Sequence, residues 1–168
     1  HQPGDQFLFN LLIAPVAILV NFVASLPGTI RAQQPKKLAA EVKAEFLHAW
    51  NGYKKYAWGH DDIMPLSKTY KDWYGQTLLM TPVDALDTLL LMNLKDEARR
   101  TKDFILANLS FDKDIYVKNF EITIRLLGGL LSSYQMTSDR RLLALAEDLG
   151  TRLLPAFESP TGLPYRYV

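Results

Sequence analysis

The run Asn119–Tyr134, NFEITIRLLGGLLSSY, sets the tightest limit on what this chain can become. Its Leu, Ile and Phe side chains recur at helical spacing, so it reads as an apolar helix. Glycine inside a helix costs about 1 kcal/mol relative to alanine, yet Gly128 and Gly129 stand side by side within it. A helix carrying that cost lets another surface approach closely. Glu121 lies near the start of the run and Arg125 four residues on, which puts both charges on one face. Two readings of the pair are open. One is a solvated ion pair contributing about 0.2–0.5 kcal/mol. The other is a carboxylate and a guanidinium held together in a partly buried site.

The chain from residue 36 onward reads as a succession of helices. Pro35 suits a first turn, where its missing N–H is harmless. Leu38, Val42, Phe46, Ala49, Tyr53 and Tyr56 then follow at helical spacing and predict an amphipathic helix to about Trp58. Residues 59–77 are loop-like, with glycine, proline, serine and isolated aromatics. Thr81-Pro82 predicts a capped start for a second helix that carries Asp84 and Asp87 and runs to about Asn93. Residues 95–109 form a third. A break over 110–116 precedes the helix of Glu121, and Ser138 is the expected cap of a fifth, ending near Leu154 before Pro155. Strand-like alternation is scarce, with room for one short strand near Tyr116-Val117. The fold class is therefore all-α.

The chain has 168 residues and a formal net charge of +1, enough for one domain with a real core and no basic surface suited to nucleic acid. It has no cysteine, which excludes a disulfide framework and a thiolate metal site. His60-Asp61-Asp62 has the residue types of a metal site but reads better as a structural loop at the rim of a cleft. Asp84 and Asp87, three apart, share a helix face; the plain role of either is an acid near a helix start, favoured by the helix dipole.

Residues 1–35 differ in character. Phe7–Leu26 is almost wholly apolar and about as long as a bilayer crossing, roughly 20 residues. It is a signal peptide, a membrane anchor or a sequence foreign to the fold, and 27–35 is a linker. A basic stretch before it is lacking, and Arg31, Lys36 and Lys37 follow it, which opposes a lumenal orientation for an anchored chain.

Four stretches carry a resemblance: AWGHDDIMPLSK at 57–68, VDALDTLLLM at 83–92, FEITIRLLGGLLSSY at 120–134 and DLGTRLLPAFESPTGLPY at 148–165. In this order and spacing the chain resembles the class I α-mannosidases, glycoside hydrolase family 47. The resemblance implies an (α/α)7 barrel, of which residues 36–168 would supply the opening helices. It implies inverting hydrolysis of terminal α-1,2-linked mannose on oligomannose N-glycans, in the endoplasmic reticulum or Golgi or after secretion. Glu121 matches the family's general acid, Arg125 its substrate-contacting arginine and Asp84 an acidic residue lining the active site. A bound Ca²⁺ is implied as cofactor, with its key threonine ligand and the other catalytic carboxylates outside these residues, so no metal ligand is expected here. The chain begins with His1 and stops within a family motif, which reads as an N-terminal piece inactive alone. A mannose-binding quality-control relative and a helical interaction protein are the alternatives. Asn108-Leu109-Ser110 is a glycosylation sequon.

Overall fold

The computed structural model describes residues 35–168. The chain divides into two compact units, His1–Phe46 and Leu47–Val168. The apolar stretch 7–26 and the linker lie outside the described residues, and no helix among those described is long and apolar enough to cross a membrane.

Helix α1 spans Pro35–Tyr56. The apolar face expected at its start is open to solvent: Leu38 and Val42 are 37% and 59% exposed. Burial belongs instead to Trp50 and Tyr53, whose rings stack at 5.4 Å. Tyr53 donates its hydroxyl to the His60 carbonyl at 2.7 Å, and burial holds that phenol well above its ordinary range.

Residues 59–77, expected to be loop, contain an antiparallel hairpin. Strand β1 (Asp62–Met64) pairs with β2 (Thr69–Lys71) in the register Asp62–Lys71, Ile63–Tyr70 and Met64–Thr69. Lys68 takes a left-handed φ of 55° before β2, and His60 stacks on Tyr70 at 3.4 Å. Strands this short carry too little alternation to announce themselves.

Helices α2 (Met80–Leu91) and α3 (Lys95–Asn108) follow. Then comes one helical run in three parts: α4 (Asn119–Ile122), a π turn (Thr123–Leu127) and α5 (Gly128–Thr137). Helix α6 (Arg140–Leu153) and a 3₁₀ turn (Leu154–Phe157) complete the series. Helix α2 packs on both α3 and α5, and α5 packs on α6. Met80, Leu86 and Leu89 of α2, Ile105 of α3, Leu126 and Leu130 of the central run and Leu142 of α6 are fully buried between them. The short pairing expected near Val117 joins Val117 and Val168 by two backbone bonds of 2.8 and 3.0 Å, beside an antiparallel bridge of Lys118 with Tyr167.

Two caps differ from expectation. Thr81 lies inside the first turn of α2 and donates its hydroxyl to the Asp61 carbonyl at 2.6 Å. The oxygen that caps α2 is Asp61 Oδ1, which accepts from Leu78 N at 2.7 Å and Met80 N at 3.2 Å. Ser138, with φ 57°, closes α5 instead of opening α6. Asp139 caps α6 through Arg141 N at 3.2 Å and binds Lys102 of α3 at 2.7 Å. These contacts hold its carboxyl far below the usual range, the Arg141 and Lys102 bonds contributing most.

Candidate active site

Arg125 is the centre of the site. It sits in the π turn, a distortion that recurs at functional positions. Its guanidinium does not pair with Glu121. It reaches across to α2, where Nε and one Nη donate to the same oxygen of Asp84, Oδ2, at 2.7 and 2.6 Å. The indole of Trp73 lies under the guanidinium carbon at 4.5 Å, within the range of a cation–π contact. Burial pushes the Asp84 carboxyl above its ordinary value; the Arg125 bond opposes the rise, and the Asp87 and Asp62 carboxylates reinforce it.

Trp73 is fixed in turn. Its indole N–H donates to Asp62 Oδ2 at 2.5 Å, and its backbone N–H donates to Asp61 Oδ2 at 3.1 Å. Asp61 is fully buried. Its carboxylate accepts from Trp73 N, Thr77 Oγ1, Leu78 N and Met80 N, a set of donors that makes burial of the charge tolerable. Asp72 supports the same corner, accepting from Asp61 N at 3.0 Å and lying 2.9 Å from His60 Nδ1. The His-Asp-Asp triplet thus organises the loop, as expected. Among the described residues no group of three or more His, Asp or Glu side chains is arranged to hold a metal ion.

Glu121 occupies the first turn of α4, half-buried, with no hydrogen bond or ion pair to a described residue. It lines a cavity of about 480 Å³ with Lys118, Thr123, Phe157, Tyr165 and Arg166. Lys118 also lines a second cavity of about 290 Å³, whose other walls are Asp62, Lys71, Trp73 and Tyr74. Burial raises the Tyr74 phenol, and the Glu121 carboxylate is among the charges that add to the rise. The Tyr74 hydroxyl oxygen accepts from Lys118 N at 3.3 Å.

The structure therefore joins Arg125 to Asp84 directly and leaves Glu121 on its own wall. Asp87 is not part of this pairing: its Oδ2 accepts from Ser132 at 2.8 Å and ties α2 to α5. Asn108 lies apart, exposed at the end of α3. Trp73, Tyr74 and Lys118 were not singled out from sequence. The available signal was the isolated pair of aromatics, Trp73-Tyr74, in a segment with no apolar periodicity to bury them.

Residues 45–168 match the model of "Glycosyl hydrolase family 47". The chain belongs to that family. A rat endoplasmic reticulum mannosyl-oligosaccharide 1,2-alpha-mannosidase (Rattus norvegicus) is 47% identical over 131 residues, 78% of this chain and 20% of the relative. A mannosyl-oligosaccharide 1,2-alpha-mannosidase of Arabidopsis thaliana is 43% identical over 133 residues, 79% of this chain and 24% of the relative. Among solved structures, the alpha-1,2-mannosidase from Trichoderma reesei superposes with a TM-score of 0.69 at 31% identity, over 77% of this chain and 30% of that one. The chain thus spans about a fifth to a quarter of the length of these curated relatives. Its helices are those of the glycosyl hydrolase family 47 fold, part of an (α/α)7 barrel.

Proposed function

We propose that the protein carrying this chain is an α-1,2-mannosidase that removes terminal α-1,2-linked mannose from oligomannose N-glycans with inversion. The observation that carries the reading is the state of Glu121. A carboxyl with no hydrogen-bond or ion-pair partner among the described residues, at the wall of a cavity, can meet a ligand oxygen. In this role Glu121 protonates the departing glycosidic oxygen. Inversion needs a second carboxyl group about 6.5–9.5 Å away, with room for the attacking water; no residue of this chain is assigned to it.

Arg125 and Asp84 are proposed as sugar-binding groups. Both donations of the guanidinium fall on one Asp84 oxygen. The other Nη and Asp84 Oδ1 keep their capacity to donate to and accept from vicinal hydroxyls. The side chains are 21% and 32% exposed, so a ligand can reach them. Similarity to mannosidases named for the endoplasmic reticulum supports a secretory-pathway address, and the apolar stretch 7–26 supports entry into it or association with its membrane. Calcium is assigned to none of these residues.

Glu121→Gln in the protein carrying this chain tests the proposal. It keeps the shape and removes the acid, and general acid catalysis contributes typically about 10²–10⁴-fold. Turnover of an oligomannose glycan should fall by that order while binding persists. Unchanged turnover refutes the assignment; binding with no turnover in the unsubstituted protein favours a mannose-binding relative.

A further inference from the structure

We propose that Asn108 is an N-glycan attachment site, so that the protein carries the kind of modification it is proposed to trim. This goes beyond the proposed activity and rests on that reading only for delivery to a compartment where glycans are attached.

Asn108-Leu109-Ser110 is the one Asn-x-Ser/Thr tripeptide in the 168 residues. Helix α3 ends at Asn108, and Leu109 leaves it in extended conformation, φ −76° and ψ 124°. Extended backbone sends alternate side chains to opposite sides. Leu109 and Phe111 are buried, 8% and 7% exposed, while Asn108 and Ser110 face solvent. The two side chains that define the acceptor therefore share the open side, and the apolar residues between and after them anchor the segment. A glycan on Asn108 projects outward and displaces nothing from the core.

The polar contacts tolerate the modification. Asn108 Nδ2 donates to the Phe104 carbonyl at 2.8 Å. The primary amide has two hydrogens; substitution removes one and leaves one for that bond. Ser110 Oγ accepts from Asp112 N at 3.2 Å and donates to none of the described residues. The step requires a lipid-pyrophosphate-linked oligosaccharide as donor. A bond forms between Nδ2 and the anomeric carbon as the bond from that carbon to the pyrophosphate oxygen breaks. The lipid pyrophosphate leaves, and the amide gives up one proton to base.

The test expresses residues 1–168 in a eukaryotic cell behind a cleavable secretion signal. Peptide N-glycosidase digestion and peptide mass spectrometry read residue 108. We expect a glycan whose enzymatic release leaves Asp at 108, its loss in N108Q and S110A, and its retention in S110T. Attachment precedes folding, so a variant that folds poorly still reports. An unmodified Asn108 in the signal-delivered chain overturns the inference. A glycan there that N108Q abolishes upholds the site, whatever route delivers the chain.

Discussion

Arg125 shows how much one side chain depends on residues distant in sequence. Its partner is 41 residues away in α2, and the ring beneath it comes from a loop stabilised by a buried aspartate. The helical spacing of Glu121 and Arg125 was legible, but the pairing was not. Spacing specifies neighbours on a regular helix, and the π turn at 123–127 breaks that regularity. Glu121, Arg125 and Asp84 were named from motif resemblance; Trp73 was not, because a loop aromatic has no period to mark it. Trp73→Ala should loosen the guanidinium without removing a proposed acid. A partly desolvated cation–π contact is worth about 1–2 kcal/mol, so KM for an oligomannose substrate should rise about 5–30-fold, with kcat reduced less. Trp73→Phe should restore part of the loss, since the face remains and only the Asp62 bond is gone. Equal damage from both substitutions would mean that the indole N–H matters and the stack does not. Asp61→Ala should cost stability directly. It strands the N–H groups of Trp73, Leu78 and Met80, each formerly satisfied by the carboxylate. Leaving such groups unmet costs about 1–3 kcal/mol apiece, part of it recovered by entering water, so a net loss of about 3 kcal/mol is expected in urea unfolding.

At the scale of elements, the meeting of α2 with α5 turns on one glycine. A Cβ on Gly129 would stand 2.9 Å from Val83 Cγ1 and 3.2 Å from the Val83 carbonyl oxygen. Gly128 has no such neighbour; its nearest contact would be 3.7 Å, to the Thr123 carbonyl. The Gly-Gly pair announced a close approach, and one of its two members makes it. Gly129→Ala should destabilise by about 1–3 kcal/mol, as overpacking does, whereas Gly128→Ala should be neutral or stabilising by helix propensity. Adding Val83→Ala should rescue Gly129→Ala only in part, because the backbone oxygen stays. Thermal unfolding of the three variants separates these outcomes. The helices themselves were readable to within a few residues because their apolar periods are long. The hairpin and the caps were not. The hairpin strands are three residues each, and the α2 cap comes from Asp61, 19 positions before Met80. A further tie between elements depends on pH. Glu97 of α3 accepts from Trp50 and Lys54 of α1 at 3.0 Å each and pairs with Arg100. Burial would raise its carboxyl, but those hydrogen bonds outweigh it and lower the value from 4.5 to about 2. A lowered carboxyl contributes stability that is complete above its unfolded value and lost as pH falls through the folded one. The α1–α3 tie should therefore weaken between about pH 4.5 and 2. Glu97→Gln should remove about 1 kcal/mol of stability at pH 7, after allowance for solvent screening, and flatten the acid limb of an unfolding curve.

At the scale of the whole molecule, the proposed chemistry and the solubility of the chain rest on the same surface. Phe120 and Ile124 flank Glu121 on the central run and are 68% and 52% exposed; Phe157 and Tyr165, across the cavity, are each 50% exposed. Contiguous exposed apolar surface of this kind is uncommon on monomers and tends to be covered or to associate. The chain accounts for only 20% of the rat relative's length, and the proposed inverting hydrolysis needs a second catalytic carboxyl group, a role assigned to none of its residues. The 168-residue chain by itself should then show two linked properties. It should associate as concentration rises in sedimentation velocity and enhance a polarity-sensitive dye. It should release no mannose from an oligomannose glycan under conditions where a full-length relative named as a mannosidase does. Ile124→Ser with Phe157→Ser should reduce both association and dye response without changing the core, since neither side chain is buried. A monodisperse monomer with no dye response would mean that this apolar wall is stable in water as it stands, and release of mannose by the isolated chain would mean that another of its carboxyl groups activates the attacking water.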